Sequence, residues 1–183
     1  MERNSKVYPL AMIAVMAAVM AVVSPFALPI GPVPISLATF VVYLTAYVLG
    51  WKRAAVATLV YILLGAVGMP VFSGFAGGLG KLLGPTGGYI LGYLPLALIS
   101  GLFIDRFPKN RWLQLLGMIL ATAVLYALGT AWFCFAMDAE LAAALAACVI
   151  PFLPGDLGKM AVCMVFGPMI RGRLEQAGLC PRG

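Results

Sequence analysis

The sequence predicts an all-α integral membrane protein with six transmembrane helices, both termini cytoplasmic, and a glycine-rich loop that faces outward. Of its 183 residues, 63% are hydrophobic and 10% are charged, whereas soluble domains are roughly 45–50% apolar. The apolar residues form runs that approach the ~20 residues needed to cross a bilayer. Most basic residues fall on one side of these runs. We therefore expect a single domain, residues 1–183, that crosses the cell membrane several times and is surrounded by lipid.

Turn residues and charges divide the chain into six expected spans. The first, at about 8–28, is rich in Ala and Met and ends in an uncharged turn of Pro and Gly. The second and third are separated by Trp51, Lys52 and Arg53, an aromatic and basic group typical of a membrane edge. A short alanine-rich helix is expected just before the last span. The remaining spans are expected at about 35–50, 54–69, 88–104, 112–137 and 154–171.

The basic residues orient the bundle. Positively charged loops stay in the cytoplasm, and ten of the 12 Lys and Arg residues share one side with both termini. Asp138 and Glu140 lie on the opposite side, which we expect to face outward. Lys81, in the glycine-rich loop, and Lys159, in the last span, are the two exceptions. The ten are Arg3, Lys6, Lys52, Arg53, Arg106, Lys109, Arg111, Arg171, Arg173 and Arg182.

Residues 71–88, VFSGFAGGLGKLLGPTGG, are the most glycine-dense stretch of the chain. Glycine permits positive φ and close backbone approach, and non-helical backbone at membrane depth survives only where it is buried in protein or lines a cavity. We therefore expect this loop to fold over or into a binding site. Phe75 and Leu83 occupy positions where a Walker A or a G-x-G-x-x-G motif needs glycine, so the sequence indicates no nucleotide site.

Residues 151–159, PFLPGDLGK, place two charges inside apolar sequence. A charge at membrane depth costs about 2.5–3.5 kcal/mol and indicates function by default. Pro154 can open a helix, so Asp156 falls in its first turn, where the helix dipole favours an anion. Lys159, three residues on, shares the same face. The pair suits a ligand with an anionic end and a hydrogen-bond-donating end; the alternative is an ion pair that only orients helices.

The composition argues against catalysis. The chain has no histidine, which excludes Ser-His and Cys-His pairs and histidine-based metal sites. Its four cysteines form no C-x-x-C pair, so we expect no metal site. An aspartyl intramembrane enzyme needs two deep aspartates, and Asp156 alone is deep. The net charge of +6 does not by itself indicate nucleic acid. We expect no enzymatic activity, no catalytic residues, no cofactor and no nucleic-acid partner.

Three stretches, GPVPISLATF (31–40), GMPVFSGFAGGLGKLLGPTGGYILGY (68–93) and PFLPGDLGK (151–159), occur in an order and spacing that resemble the BioY family. BioY proteins are the biotin-specific substrate-binding (S) components of energy-coupling factor (ECF) transporters. The resemblance implies biotin uptake, with biotin as a transported ligand that binds with high affinity near the extracellular side.

The resemblance also implies that Asp156 and Lys159 contact the ligand. Lysine can pair with the valerate carboxylate, and aspartate can accept hydrogen bonds from the ureido ring. The apolar part of biotin is expected against Phe75, Tyr89 and nearby glycine backbone. Ala76 departs from the family, since some members carry a polar residue there. The remaining expected site residues are Ser73, Gly74, Gly77 and Gly78 of the loop, together with Ser36, which with Thr39 opens the second span.

Ala14 and Ala18 form a small-xxx-small pair in the first span, which allows another helix to approach closely. The motif alone does not distinguish packing against another helix of this chain from packing against a partner protein. The resemblance implies that this face meets the ECF transmembrane coupling subunit, with two ATPase subunits supplying the energy. Two other readings stay open: an S component for another vitamin, such as thiamine or riboflavin, and a solitary carrier of a small carboxylate.

Overall fold

Helices account for most of the chain in the structure, a computed structural model that describes residues 7–28 and 33–177. A two-residue antiparallel pair, β1 (Ala27–Leu28) and β2 (Ile35–Ser36), lies between the first two helices, and a 3-10 turn (Ile150–Phe152) leads into the last. The predicted helical class is confirmed. The helices are α1 (Val7–Val23), α2 (Ala38–Leu49), α3 (Trp51–Ala66), α4 (Leu79–Leu83), α5 (Gly87–Arg106), α6 (Arg111–Met137), α7 (Leu141–Cys148) and α8 (Leu153–Gln176).

Three helical stretches in the described residues are long and apolar enough to cross a membrane. They are α5, α6 and the run from α7 through α8, Leu141–Gln176. Helices α1 and α2 are apolar but shorter. Helix α8 is longer than the last expected span, and it begins at Leu153 with Pro154 and Asp156 in its first turn, as the sequence predicts.

The ends of the first two helices differ from the expected spans. Helix α1 stops at Val23 rather than near residue 28, because the residue before Pro25 is disfavoured in the α conformation. Helix α2 begins at Ala38 rather than near residue 35, because Ile35 and Ser36 pair with β1. This pairing places Ser36 next to the N-terminal end of α2.

Asp105 joins three helices at one end of the bundle. Its Oδ2 accepts a hydrogen bond from the backbone N–H of Trp51, the first residue of α3, at 2.9 Å, so α3 begins three residues earlier than expected. Its Oδ1 pairs with Nη1 of Arg171 on α8 at 2.7 Å. Gly50 has φ +74°, and a Cβ there would lie 2.7 Å from Asp105 Oδ2. Glycine at position 50 therefore lets the Asp105 carboxylate cap α3.

Helix α2 is the centre of the bundle. Ten of its twelve residues are buried, and it contacts α1, α3, α5 and α8. Helix α8 packs mainly on α2, where Gly167 lies against Tyr47: a Cβ at 167 would come within 2.3 Å of the tyrosine ring. Helices α5 and α6 form the most extensive pair. The close approach of α8 to α2 brings their N-terminal turns side by side.

The glycine-rich loop lies over the C-terminal end of α3. Gly78 donates its N–H to the carbonyl of Gly65 at 2.7 Å, and Gly74 donates to the carbonyl of Pro25 at 2.9 Å. Phe72 is buried edge-on against the Tyr61 ring, with centroids 5.7 Å apart. The loop is thus fastened to α3 and to the segment that follows α1.

Replacing Asp105 with Ala should lower the free energy of unfolding by about 1–2 kcal/mol, because α3 loses its cap and Arg171 loses a partner. Asp105→Asn should cost less, since an amide oxygen can still accept from Trp51. Thermal unfolding of the purified protein in detergent measures both. Glu140→Gln, at an exposed position without a side-chain cap bond, is the matched control. Equal stability of Asp105→Ala and wild type would contradict the role assigned to this carboxylate.

Candidate functional site

A pocket that is partly open to solvent lies between the N-terminal turns of α2, α5 and α8 and the C-terminal half of α6, and it encloses about 340 Å³ of empty space, open solvent included. One part of the lining is apolar or aromatic and consists of Val33, Pro34, Tyr89, Tyr93, Leu125 and Phe152. The other part is polar and consists of Ser36, Thr39, Tyr126, Asp156 and Lys159.

Asp156 is the buried anion of this cavity, with 4% of its surface exposed. Its Oδ1 accepts hydrogen bonds from Thr39 Oγ1 at 3.0 Å and from Lys159 Nζ at 2.9 Å. Its Oδ2 accepts a hydrogen bond from the hydroxyl of Tyr126. The donors come from α2, α6 and the next turn of α8 itself. The carboxylate is therefore held from three sides, and its place in the first turn of α8 adds the favourable helix dipole.

Lys159 is the matching cation, and 12% of its side chain is exposed. Besides Asp156, its Nζ donates to the backbone carbonyl of Ser36 at 2.6 Å and to Thr39 Oγ1 at 3.1 Å. An ammonium group has three protons to donate, and these three acceptors use all of them. The two charges balance each other, so the polar part of the cavity is neutral overall.

Two tyrosines of α5 form an aromatic wall. Tyr89 donates its hydroxyl proton to the carbonyl of Cys148 at 3.3 Å and lies 3.1 Å from Thr130 Oγ1. A Cβ at Gly129 would come 2.3 Å from the Tyr89 ring, so glycine at that position lets the ring lie flat against α6. Tyr93 follows one turn later on the same face. The wall offers an apolar surface next to the charged pair.

The arrangement suits binding rather than bond breaking. A carboxylate and an ammonium group satisfy each other beside hydroxyl groups, and an apolar surface continues from them. Within residues 7–28 and 33–177, no three side chains of the metal-ligating types come together. A ligand with a polar end and an apolar body matches this division.

The structure brings four of the predicted site residues together. Ser36, Tyr89, Asp156 and Lys159 all line the cavity. The loop residues Ser73, Gly74, Phe75, Gly77 and Gly78 do not line it, and neither does Ala76. Phe75 is 60% exposed and lies edge-on to the Phe26 ring at 5.5 Å. Contact between these loop residues and a ligand stays a prediction.

Sequence reasoning missed Tyr93, Tyr126 and Phe152. Each lies in apolar sequence, where an aromatic residue is most simply explained as part of the core. The available signal was the hydroxyl groups of the two tyrosines, because a buried tyrosine hydroxyl needs a hydrogen-bond partner. The partner of Tyr126, Asp156, is 30 residues away in the chain, so no local pattern names it.

Ala14 and Ala18 lie on the exposed face of α1, whereas Ala17 between them is buried against the bundle. Their positions leave the small-xxx-small pair accessible from outside the chain. Use of this face by a partner stays a prediction.

The family profile and the named relatives give the same family. The profile of the BioY family matches residues 1–176. "Biotin transporter BioY" of Thermotoga maritima is 39% identical over 135 residues, which cover 74% of this chain and 79% of that protein. "Biotin transporter BioY2" of Lactococcus lactis is 34% identical over 165 residues, covering 90% and 91%. The crystal structure of "the S-component for biotin from an ECF-type ABC transporter" superimposes with a TM-score of 0.85 at 28% identity, covering 94% of this chain and 95% of that one. The chain belongs to the BioY family.

Proposed function

We propose that this chain takes part in biotin uptake as the high-affinity membrane substrate-binding subunit of an ECF-type transporter. It is a multi-pass plasma membrane protein and a transport protein rather than an enzyme. The observation that carries the proposal is the cavity around Asp156 and Lys159, found in a chain with the fold of a biotin S component. A neutral polar end beside an aromatic wall matches biotin, which joins a ureido group to a thioether ring and an alkyl tail.

The charge pattern supports six spans, cytoplasmic termini and biotin binding near the extracellular side. Arg171, in the last turns of α8, belongs to the basic side of the bundle and pairs with Asp105. Asp156 lies 15 residues earlier in α8, which corresponds to roughly 22 Å along the helix. The cavity therefore lies toward the end opposite to the basic residues. Since basic loops stay in the cytoplasm, this end faces outward in the proposed topology.

Energy for uptake has to come from other subunits, since the sequence offers no nucleotide motif. The S-component fold implies a transmembrane partner and an ATPase module. We propose two ATPase subunits, a coupling subunit that docks on the exposed Ala14 and Ala18 of α1, and surrounding lipid. Small residues allow close helix approach within a membrane, which suits this face to a helical partner.

Purified wild-type chain should bind biotin with a sub-micromolar dissociation constant, and Asp156→Asn and Lys159→Ala should each weaken binding more than tenfold. Removing one partner of a desolvated charged contact costs about 2–5 kcal/mol, because the remaining charge is left buried. Isothermal titration calorimetry in detergent measures the affinities, with thiamine and riboflavin as competing ligands. Glu140→Gln and Lys52→Ala make the same charge changes at exposed positions and should bind like wild type.

Three outcomes of this titration would count against the proposal. If the wild type binds no biotin, the proposed function is wrong. If it binds thiamine or riboflavin more tightly than biotin, the proposed ligand is wrong. If both charge variants bind biotin with unchanged affinity, biotin uptake is still supported, but Asp156 and Lys159 do not form the binding site.

Bulky replacements at the exposed alanines should separate partner docking from ligand binding. Ala14→Phe and Ala18→Phe should leave biotin affinity within about threefold of wild type and reduce co-purification with the coupling subunit and ATPases. The added rings block close helix contact. Ile119→Phe, on the exposed face of α6, is the control and should co-purify normally. Loss of biotin binding in the alanine variants would instead place this face inside the binding machinery.

A further inference from the structure

Residues 106–112, RFPKNRW, connect α5 to α6 and carry three basic side chains. Arg106, Lys109 and Arg111 are all exposed, and none of them forms an ion pair within the described part of the chain. Asp105, the residue before this segment, is already engaged by α3 and α8. The 106–112 segment therefore presents positive charge that no described side chain compensates.

Two aromatic rings are exposed among these bases. Trp112, in the first turn of α6, is 78% exposed, and Phe107 is 36% exposed. Helices α5 and α6 are both long and apolar enough to cross a membrane, so the segment between them lies at the level of the lipid headgroups. Tryptophan at that level has its apolar ring in contact with lipid. The exposed rings therefore favour a lipid over a soluble anion, such as free phosphate, as the partner of this surface.

The 106–112 segment is held in place from inside the bundle. Gln114 is 2% exposed, and its side-chain amide donates to the carbonyls of Phe107 at 2.9 Å and Pro108 at 3.2 Å. The side chain of Asn110 accepts hydrogen bonds from two backbone N–H groups in the first turn of α6. The bases are thus attached to a fixed backbone, which reduces the ordering that has to occur when they bind one headgroup.

Arg111 extends the basic surface from α6 toward α8. Its Nη1 lies 3.5 Å from the carbonyl oxygen of Met164. Pro168, four residues later in α8, has no N–H, so this carbonyl lacks its usual helical hydrogen bond. A guanidinium group has five N–H donors, and this contact uses one of them. The remaining donors are suited to the oxygens of a phosphate group, which arginine can bind in a bidentate manner.

The opposite end of α6 has exposed aromatic residues but the reverse charge. Phe135 is 84% exposed and lies beside Trp132, and Asp138 and Glu140 follow. Trp112 and Trp132 are separated by roughly 30 Å along the same helix. An anionic headgroup is attracted to the first position and repelled from the second, so the two tryptophans can report on the two ends independently.

We propose that the 106–112 segment is a binding site for an anionic phospholipid. Arg106, Lys109 and Arg111 contact its phosphate-bearing headgroup, and Trp112 lies against its upper acyl chains. Each base near an anionic lipid surface strengthens binding on the order of fivefold at low salt, so the site prefers anionic to neutral lipid. It lies at the end of the bundle opposite to the cavity, and the proposal does not depend on which solute the cavity binds.

Quenching of tryptophan fluorescence by brominated lipid measures which lipid lies beside each ring. The Trp112 reporter carries Trp51→Phe and Trp132→Phe and is reconstituted in phosphatidylcholine that contains brominated phosphatidylglycerol or brominated phosphatidylcholine. We expect the anionic lipid to bind beside Trp112 about fivefold more strongly than the neutral lipid. The matched control carries Trp51→Phe and Trp112→Phe, and its remaining Trp132 should show no preference for the anionic lipid.

Charge variants of the Trp112 reporter test the three bases. Replacing Arg106, Lys109 and Arg111 together by Gln should make the two lipids bind equally well. The exchange of Arg106→Lys, Lys109→Arg and Arg111→Lys keeps the charges and should keep the preference. Raising the salt concentration should weaken the preference without any change to the segment, because exposed charges are screened. Replacing chloride by inorganic phosphate at equal ionic strength should leave the preference unchanged.

Equal binding of the two lipids beside Trp112 at low salt would overturn the proposal. A preference of the same size beside Trp132, or one that survives the loss of all three bases, would do so as well. If the lipids bind equally and the Gln variant no longer co-purifies with the coupling and ATPase subunits, the surface binds a protein partner instead. Loss of the preference in inorganic phosphate would assign the surface to a soluble anion.

Discussion

The carboxylate of Asp156 is buried in the first turn of α8, and it has to be compensated there. Removing one partner from a buried ion pair costs about 3–5 kcal/mol, because an uncompensated charge is left behind. Here the compensation comes from Thr39 on α2, Tyr126 on α6 and Lys159 on α8. These three donors reach one carboxylate only if α2, α6 and α8 keep their positions relative to one another. The cavity lies between the helices in this arrangement.

Helix α8 is held near both of its ends, although most of its surface faces away from the bundle. At the cavity end, Asp156 and Lys159 tie it to α2 and α6; toward the other end, Arg171 pairs with Asp105 of α5. Between these points, Gly167 lets the helix lie directly on Tyr47. Substitutions at either end of α8 therefore affect the position of the same helix. The Asp105–Arg171 pair helps to hold α8 in place, and so stabilises the cavity without contacting it.

Local signals in the sequence predicted the helices and the charged pair, because both depend on neighbouring residues. Apolar runs gave the helical segments, and the Pro154-to-Lys159 pattern gave an anion in a first helical turn. Features set by distant contacts were not predictable in this way. The start of α3 depends on Asp105, 54 residues later than Trp51, and the Thr39 bond joins residues 117 apart. Glycine density marked an unusual loop, but it did not indicate that the loop would fasten to Gly65 and Pro25.

An experimental structure of the biotin-bound chain tests the central claim most directly, because it locates the ligand without relying on altered side chains. The account predicts biotin between α2, α5, α6 and α8, with a polar group of the ligand within hydrogen-bond distance of the Asp156–Lys159 pair. Biotin bound outside this cavity, for example against the glycine-rich loop alone, would contradict it.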